Sequence, residues 1–478
     1  MNRLLKKYNE MSEPVKASIW YTICNVLNKG IALLSTPIFT RVLSEEQYGT
    51  FAIFQSWYSI ILIFTSLNIF LGGYQKGLLL FENDRNSFTS SQLGLTTTIT
   101  LLYGIVYLIS PRFWSSIFEL PPILMAAMFL ELLFMPALEF WAAKEQFDFK
   151  YKKYVAVSII MTVLSLGGGV LAVINTEYKV EARVYTDVLA KVFFAGILFV
   201  MLFVRGKKFF LKKYWKYALM FNIPLIPHYL SNFVLNQSDR VMIGKMIGND
   251  KAALYSVAYS ISTMMLLVTS AINNSLTPYT YRALKKNDEN AVNRVTKPLL
   301  FLVAGLCFIT MAFAPEVIKI FGGEKYMDAI YVIPPIAASV FFIFMYSLFS
   351  NIEYYFQKTG FIAIATCLSA LFNLILNFIC IRKYGYYAAG YTTLFCYICL
   401  AIFHFVFARI ILKEQKIKKF IYDMKLIIIL SIVVIIGMII FAMTYRFVIV
   451  RYAILSGIFL LVLTFKNKFI ELFYEFRK

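Results

Sequence analysis

Uncharged apolar stretches of membrane length recur along this chain, separated by short polar segments rich in Lys and Arg. Reading each stretch as one helix predicts fourteen spans, at 17–40, 48–71, 88–110, 122–143, 154–174, 184–204, 216–237, 252–276, 295–318, 328–350, 359–381, 386–410, 425–445 and 448–465. A helix needs roughly 20 apolar residues to cross a bilayer, and most of these runs reach that length. The seventh holds Pro224 and Pro227, and only a tight turn near Tyr445 to Phe447 divides the last two. The expected fold class is all-α integral membrane. No connecting segment is long enough to fold as a catalytic domain, so function must lie within the helices.

Composition agrees: the chain is 60% hydrophobic, 17% aromatic and only 15% charged, with mean hydropathy +0.70. A soluble domain is nearer half apolar and a quarter charged. The net charge of +21 raises the question of nucleic acid. The basic residues sit between apolar runs rather than on a soluble face, so headgroup contact and membrane orientation account for them, and no nucleic-acid partner is expected. They are concentrated in alternate segments, most strongly in 144–153, 205–216, 282–297 and 409–425, which places both termini on the cytoplasmic side. The first sixteen residues are polar and the run from Ala17 is long enough to span, so no cleavable signal peptide is visible. All six cysteines fall in apolar runs. Cys396 and Cys399 form a C-x-x-C pattern with no redox-domain context, and they read as small buried hydrophobes.

A weak internal repeat organises the spans. Arg41-Val-Leu-Ser-Glu-Glu-Gln-Tyr-Gly-Thr-Phe51 aligns with Lys245-Met-Ile-Gly-Asn-Asp-Lys-Ala-Ala-Leu-Tyr255, and Glu139-Phe-Trp-Ala-Ala-Lys144 aligns with Glu353-Tyr-Tyr-Phe-Gln-Lys358. Six spans separate the copies, so both copies keep one membrane orientation. This predicts two parallel six-helix lobes, 1–204 and 205–412, followed by two additional helices and a cytoplasmic tail in 413–478.

The loop Arg41-Val-Leu-Ser-Glu-Glu-Gln-Tyr-Gly49 resembles the opening signature of the polysaccharide transporter branch of the multidrug/oligosaccharidyl-lipid/polysaccharide exporter superfamily. Asn236-Gln-Ser-Asp-Arg-Val-Met-Ile-Gly244 with Ala253-Leu-Tyr-Ser-Val-Ala-Tyr259 resembles the start of that branch's second half. Leu371-Phe-Asn-Leu-Ile-Leu-Asn377, Lys383-Tyr-Gly-Tyr-Tyr-Ala-Ala-Gly390 and Thr392-Thr393 form a third match, with Tyr387 where a small Gly is usual. The resemblance implies a flippase for undecaprenyl-diphosphate-linked oligosaccharide, a precursor of O-antigen, capsule or a similar envelope glycan, in a bacterial inner membrane. It also implies a cationic cavity for the diphosphate and saccharide.

Ionisable residues at membrane depth are functional candidates because their burial is costly. Lys29, midway along the first span, is the leading substrate contact. Arg41, Lys191, Asp239, Arg240 and Lys245 complete the candidate substrate set, with Lys191 and Asp187 sharing one helix face at i,i+4. Asp239 and Arg240 end the seventh span, where they line the cavity mouth or cap the helix. For ion coupling or gating the candidates are Glu131, Glu139, Asp187, Pro224, Pro227 and His228. Glu139 also reads as a structural salt bridge through its repeat to Glu353, and the prolines suit a bending gate. His404 reads as structural, and Gly167-Gly-Gly169 as a close helix approach or hinge. No catalytic residue, metal or cofactor is expected, and no ATP motif is present, so an ion gradient, the membrane potential or consumption of cargo must supply the energy. Membrane lipids and polysaccharide polymerase machinery are the further expected partners. Two rivals remain: a cation-coupled multidrug exporter of the same superfamily, which would favour acidic over basic cavity residues, and a polytopic polymerase or ligase, which would need a substantial external loop.

Overall fold

The computed structural model describes residues 12–71, 73–286, 289–417 and 420–464, with no strand among them. All fourteen predicted stretches are helical within those limits; residue 465 and the expected tail lie outside the described residues. Among the described residues, twelve helical segments are both long and apolar enough to cross a membrane. The two that drop out do so for different reasons. The first helix, α1 (Glu13–Val42), has thirty residues but carries Thr22, Asn25, Asn28, Lys29, Ser35 and Thr36 within its apolar run. The last, Val448–Thr464, has seventeen residues and falls short in length.

The chain divides into two compact units, one of residues 1–233 with 248–253, the other of residues 234–247 with 254–478. Unit 1 contains α1 and α2 (Glu45–Ser66), α3 (Gly73–Leu80), α4 (Arg85–Ile109), α5 (Pro111–Phe118), α6 (Pro122–Phe147), α7 (Tyr151–Ile174), α8 (Lys179–Gly206) and α9 (Lys212–Asn222). Helix α8 packs on α6, α7 and α4, and α1 lies along α7. Ser44 starts α2 with a capping box, its Oγ accepting from the Gln47 amide while Gln47 Oε1 accepts from the Ser44 amide. Such a cap stabilises a helix by about 1 kcal/mol, and it lies within the Arg41–Gly49 loop motif. Gly49 is obligatory for space: a Cβ there would lie 1.8 Å from the Asn249 carbonyl oxygen.

Prolines break the next span where the sequence places them. A 3₁₀ turn at Ile223–Leu225, holding Pro224, separates α9 from α10 (Ile226–Met246). Pro227 then falls in the first turn of α10, where its missing N–H costs no helical hydrogen bond. Because α10 continues to Met246, Asp239 and Arg240 lie inside the helix and not at its end, as the span 216–237 had implied.

Unit 2 contains most of α10, then α11 (Asn249–Thr263), α12 (Met265–Lys286), α13 (Glu289–Ala312), α14 (Ala314–Phe321), a 3₁₀ stretch Glu324–Val332, α15 (Ile333–Tyr355), α16 (Thr359–Tyr384), α17 (Tyr387–Glu414), α18 (Met424–Thr444) and α19 (Val448–Thr464). Helix α15 is its centre, packed against α12, α13, α17 and α18. The apolar window containing α15 is 83% buried inside the protein, against 17% for α7, so α15 has almost no face left for lipid. The short helices α5 and α14 repeat each other, since Pro111 and Pro315 open their first turns at the same separation as Arg41 and Lys245.

Candidate functional site: polar networks among the membrane helices

Four charged residues meet inside unit 1. Lys191 Nζ on α8 donates to Glu131 Oε1 on α6 and to Asp187 Oδ2 one turn earlier, both at 2.7 Å. Asp187 also accepts from Gln55 Nε2 at 3.3 Å and from the Ser165 hydroxyl, and Arg183 Nη1 stands 4.0 Å from its Oδ1. Two acids and two bases therefore balance in one place, and Glu131 is fully buried. The Arg183 guanidinium lies 4.3 Å from the Phe39 ring centroid and 4.5 Å from that of Phe51, which replaces part of its hydration with aromatic faces. Gly169 leaves the space: a Cβ there would stand 3.2 Å from Arg183 Nη1 and 3.3 Å from Phe39. Gly168 likewise brings α7 onto α8 at Thr186, so close approach is the role of this glycine run.

Lys29 contrasts with this cluster. It lies just past the middle of α1, is exposed, and has no carboxylate within ion-pair distance among the described residues. Its neighbour Asn28 is held by Ser158 and Thr162 of α7 at 2.6 and 3.1 Å, which fixes the polar stripe of α1. An uncompensated ammonium of this kind suits an anion. A cleft of about 280 Å³ between α4 and α6 is unsuited to one, being lined by Leu101, Tyr107, Leu108, Met125 and Phe129.

In unit 2 three segments distant in sequence converge on Asp239, which is 1% exposed. Its carboxylate accepts from Tyr255 of α11, from Asn377 Nδ2 of α16 at 2.5 Å and from Thr393 Oγ1 of α17 at 2.9 Å. Asn373 extends the network, accepting from Asn377 Nδ2 at 3.1 Å and Ser238 Oγ at 3.2 Å. Asp239 is the substrate candidate of the second family-like motif; Ser238, Tyr255, Asn373, Asn377 and Thr393, which belong to the second and third motifs, carried no site role in the sequence. The carboxylate, amide and hydroxyl oxygens are ligand types that a hard cation takes. No group of three or more His, Cys, Asp or Glu suited to a metal ion occurs among the described residues.

The remaining candidates are placed as follows. Arg240 lies over the Tyr259 ring, its guanidinium carbon 4.6 Å from the centroid, and donates to the Asn236 carbonyl and to Gln237. Arg41 and Lys245 are exposed in the last turns of α1 and α10, repeat-related as expected. His228 is half-buried in the first turn of α10, with Asn232 Nδ2 3.1 Å from its ring Nε2. Glu139 departs from its salt-bridge reading. It has no ion-pair partner among the described residues, while its repeat mate Glu353 holds His404 at 2.8 Å. The physical reason lies in the helix corresponding to α17: α8 carries no histidine, so unit 1 has no equivalent of the Glu353–His404 pair. All six cysteines are free.

Residues 15–284 match the family described as Polysaccharide biosynthesis protein, and residues 224–379 match MatE. A protein of Haemophilus influenzae described as Lsg locus putative protein 1 is 24% identical over 74% of this chain and 88% of its own length. A probable low-salt glycan biosynthesis flippase of Haloferax volcanii is 20% identical over 81% of this chain and 82% of its own. Among solved structures, the lipid II flippase MurJ in an inward closed conformation superposes with TM-score 0.68 at 14% identity, covering 93% of this chain and all of that one. An inward-facing MATE multidrug transporter gives 0.59 at 14%, covering 82% and 96%. These structural likenesses establish the fold. With a match over more than half of its length, the chain belongs to the polysaccharide biosynthesis protein family, in the polysaccharide transporter branch of the multidrug/oligosaccharidyl-lipid/polysaccharide exporter superfamily.

Proposed function

We propose that this transporter is a flippase carrying an undecaprenyl-diphosphate-linked oligosaccharide, the precursor of O-antigen, capsule or a similar envelope glycan, across the bacterial inner membrane by alternating access. The observation that carries the reading is Lys29: an exposed cation near the middle of a polar-striped helix, free of any ion-paired carboxylate among the described residues. A diphosphate entering a low-dielectric region needs fixed positive charge, and a Lys at that depth is costly unless it faces water or cargo. Lys191, by contrast, is committed to Glu131 and Asp187 and is a positioning residue here. Both termini lie on the cytoplasmic side in this reading, and polymerase machinery takes up the exported unit.

The buried acids favour this cargo over the cationic drugs of the multidrug branch. Glu131 and Asp187 are paired with Lys191 and Arg183, Asp239 is held by three hydrogen-bond donors and Glu353 by His404, which leaves Glu139 as the acid without a partner among the described residues. The Haloferax relative is described as a probable low-salt glycan biosynthesis flippase. The test is transfer of a fluorescent undecaprenyl-diphosphate saccharide in proteoliposomes. Lys29→Ala is expected to slow transfer about tenfold, the equivalent of roughly 1.4 kcal/mol in one ionic contact, and Lys29→Arg to retain most of it. Transfer by Lys29→Ala at the parental rate would remove the residue from the cargo path, and uptake of a cationic dye without lipid transfer would favour the multidrug reading.

A further inference from the structure

We infer that Glu353 of α15 and His404 of α17 form the site that binds the proton coupled to transport. The inference rests on the flippase reading for its cargo, and on the geometry of the pair for its ligand. His404 Nδ1 and Glu353 Oε1 are 2.8 Å apart, at 1% and 0% exposure. The second carboxylate oxygen, Oε2, is buried with no hydrogen-bond partner among the described residues. A buried ion pair kept for rigidity alone needs its remaining lone pairs satisfied. This one leaves an acceptor bare, so the deprotonated carboxylate is the poorly solvated form.

The proton inventory of the pair gives two states. Without the coupled proton, neutral His404 donates Nδ1–H to the Glu353 carboxylate and the site carries net charge −1. With it, the site is neutral, either as imidazolium and carboxylate or as imidazole and carboxylic acid sharing the 2.8 Å hydrogen bond. Enclosed among packed helices, the neutral state is favoured, because an uncompensated charge is expensive there. Opened to water, the −1 state is solvated and the proton leaves. Burial on one side of the cycle and hydration on the other thus bind and release one proton, with no covalent change.

The other acidic clusters do not have this property. Glu131 also leaves its Oε2 bare, but its partner is an ammonium, which keeps its proton where an imidazole loses it. Asp239 is satisfied by a phenol, an amide and a hydroxyl. Around the Glu353–His404 pair, the ring of Tyr346 stacks on His404 at 5.5 Å, and Tyr354 follows Glu353 on α15. Tyr397 stands on α17, and Tyr281 on α12 lies against Tyr355 at 5.5 Å. Charged groups on the packed elements are engaged or exposed. Lys297 of α13 pairs with Asp423 at 2.9 Å, Lys358 with Glu414 at 3.1 Å, and Arg409 lies 5.9 Å from the Phe405 centroid. Arg282, Lys285, Lys286 and Arg294 are exposed. Lys413 and Lys425 stand at the ends of α17 and α18, Arg382 and Lys383 in the last turn of α16, and Glu324, Lys325 and Asp328 in the 3₁₀ stretch.

The chain has only two histidines, which makes the site directly observable. Full-length protein labelled with ¹⁵N-histidine gives two imidazole spectra, and His228→Gln identifies the one from His404. Titrated from about pH 5 to about pH 9, the His404 signal is expected to change protonation or tautomer, with its midpoint moved in Glu353→Gln. In proteoliposomes with equal sodium on both faces, a pH gradient is expected to speed transfer of the fluorescent undecaprenyl-diphosphate saccharide several-fold. That stimulation is expected to be lost in Glu353→Gln and His404→Gln and to return in the exchanged pair Glu353→His with His404→Glu. A His404 signal invariant over the whole range overturns the proton site, whatever the vesicles do. A titrating His404 with transfer indifferent to the gradient overturns its coupling role. Absence of transfer by the parental protein counts against the flippase reading instead, and the titration then decides the proton site alone.

Discussion

In unit 1 the carboxylates of Glu131 and Asp187 face an ammonium and a guanidinium, whereas in unit 2 the carboxylate of Asp239 faces a phenol, an amide and a hydroxyl. Both solutions use the sixth span of their half: Asp187 and Lys191 lie on α8, and Thr393 on the corresponding α17. Countercharges neutralise an acid whatever its hydration, but each member of the network then depends on all the others. Dipoles solvate an acid in increments, so loss of one donor leaves the rest in place. The repeat has kept the scaffold while the chemistry of its polar interior has diverged.

The sharpest way to break this comparison is to remove one countercharge. Lys191→Met leaves Glu131 without an ion-pair partner among the described residues and Asp187 with Arg183 alone, and the expected loss of stability is roughly 3–5 kcal/mol, read as a large fall in the thermal midpoint of purified protein in detergent. Adding Glu131→Gln to that variant should recover part of the loss. A parental midpoint for Lys191→Met would mean that water, not Lys191, compensates the acids.

Smaller effects are expected in unit 2. Tyr255→Phe or Thr393→Val removes one donor from Asp239 and should each cost about 1–3 kcal/mol by the same thermal assay. If either equalled the Lys191 effect, the distinction between charge and dipole compensation would collapse.

The smallest effect belongs to an acid outside the spans that uses both kinds of partner. Asp423 caps α18 by accepting from the Leu426 amide at 3.1 Å and pairs with Lys297 at 2.9 Å. The Lys297 ammonium and then the backbone N–H hold its carboxyl below the ordinary Asp value. A depressed folded value means that this contribution is present at neutral pH and is lost as pH falls below about 4 toward that value. Asp423→Ala should cost about 1 kcal/mol, most of it the cap, because a solvent-accessible ion pair adds little. The cost should vanish in acid; a midpoint difference that persisted there would assign it to packing.

Much of the site was visible in the sequence as residue types, and little of it as partnerships. The i,i+4 spacing of Asp187 and Lys191 put them on one face, and their 2.7 Å bond follows from it. Glu131 joins them from sixty residues away, through the packing of α6 on α8. The repeat tied Glu139 to Glu353 and suggested a shared salt bridge, yet only Glu353 has a histidine opposite it. Asn373, Asn377, Thr393 and Tyr255 stood in family-like motifs, but nothing local revealed that they meet at Asp239.

By itself the sequence determined that the chain is built of membrane helices, and where several of those helices start and break. Those properties follow from local composition: apolar length sets a span, Ser44 caps a helix, and Pro224 interrupts one. Only the tertiary structure decided which ionisable groups are neutralised and which stay available. The cost of a charge depends on the groups within a few ångströms of it, and here those groups come from other helices.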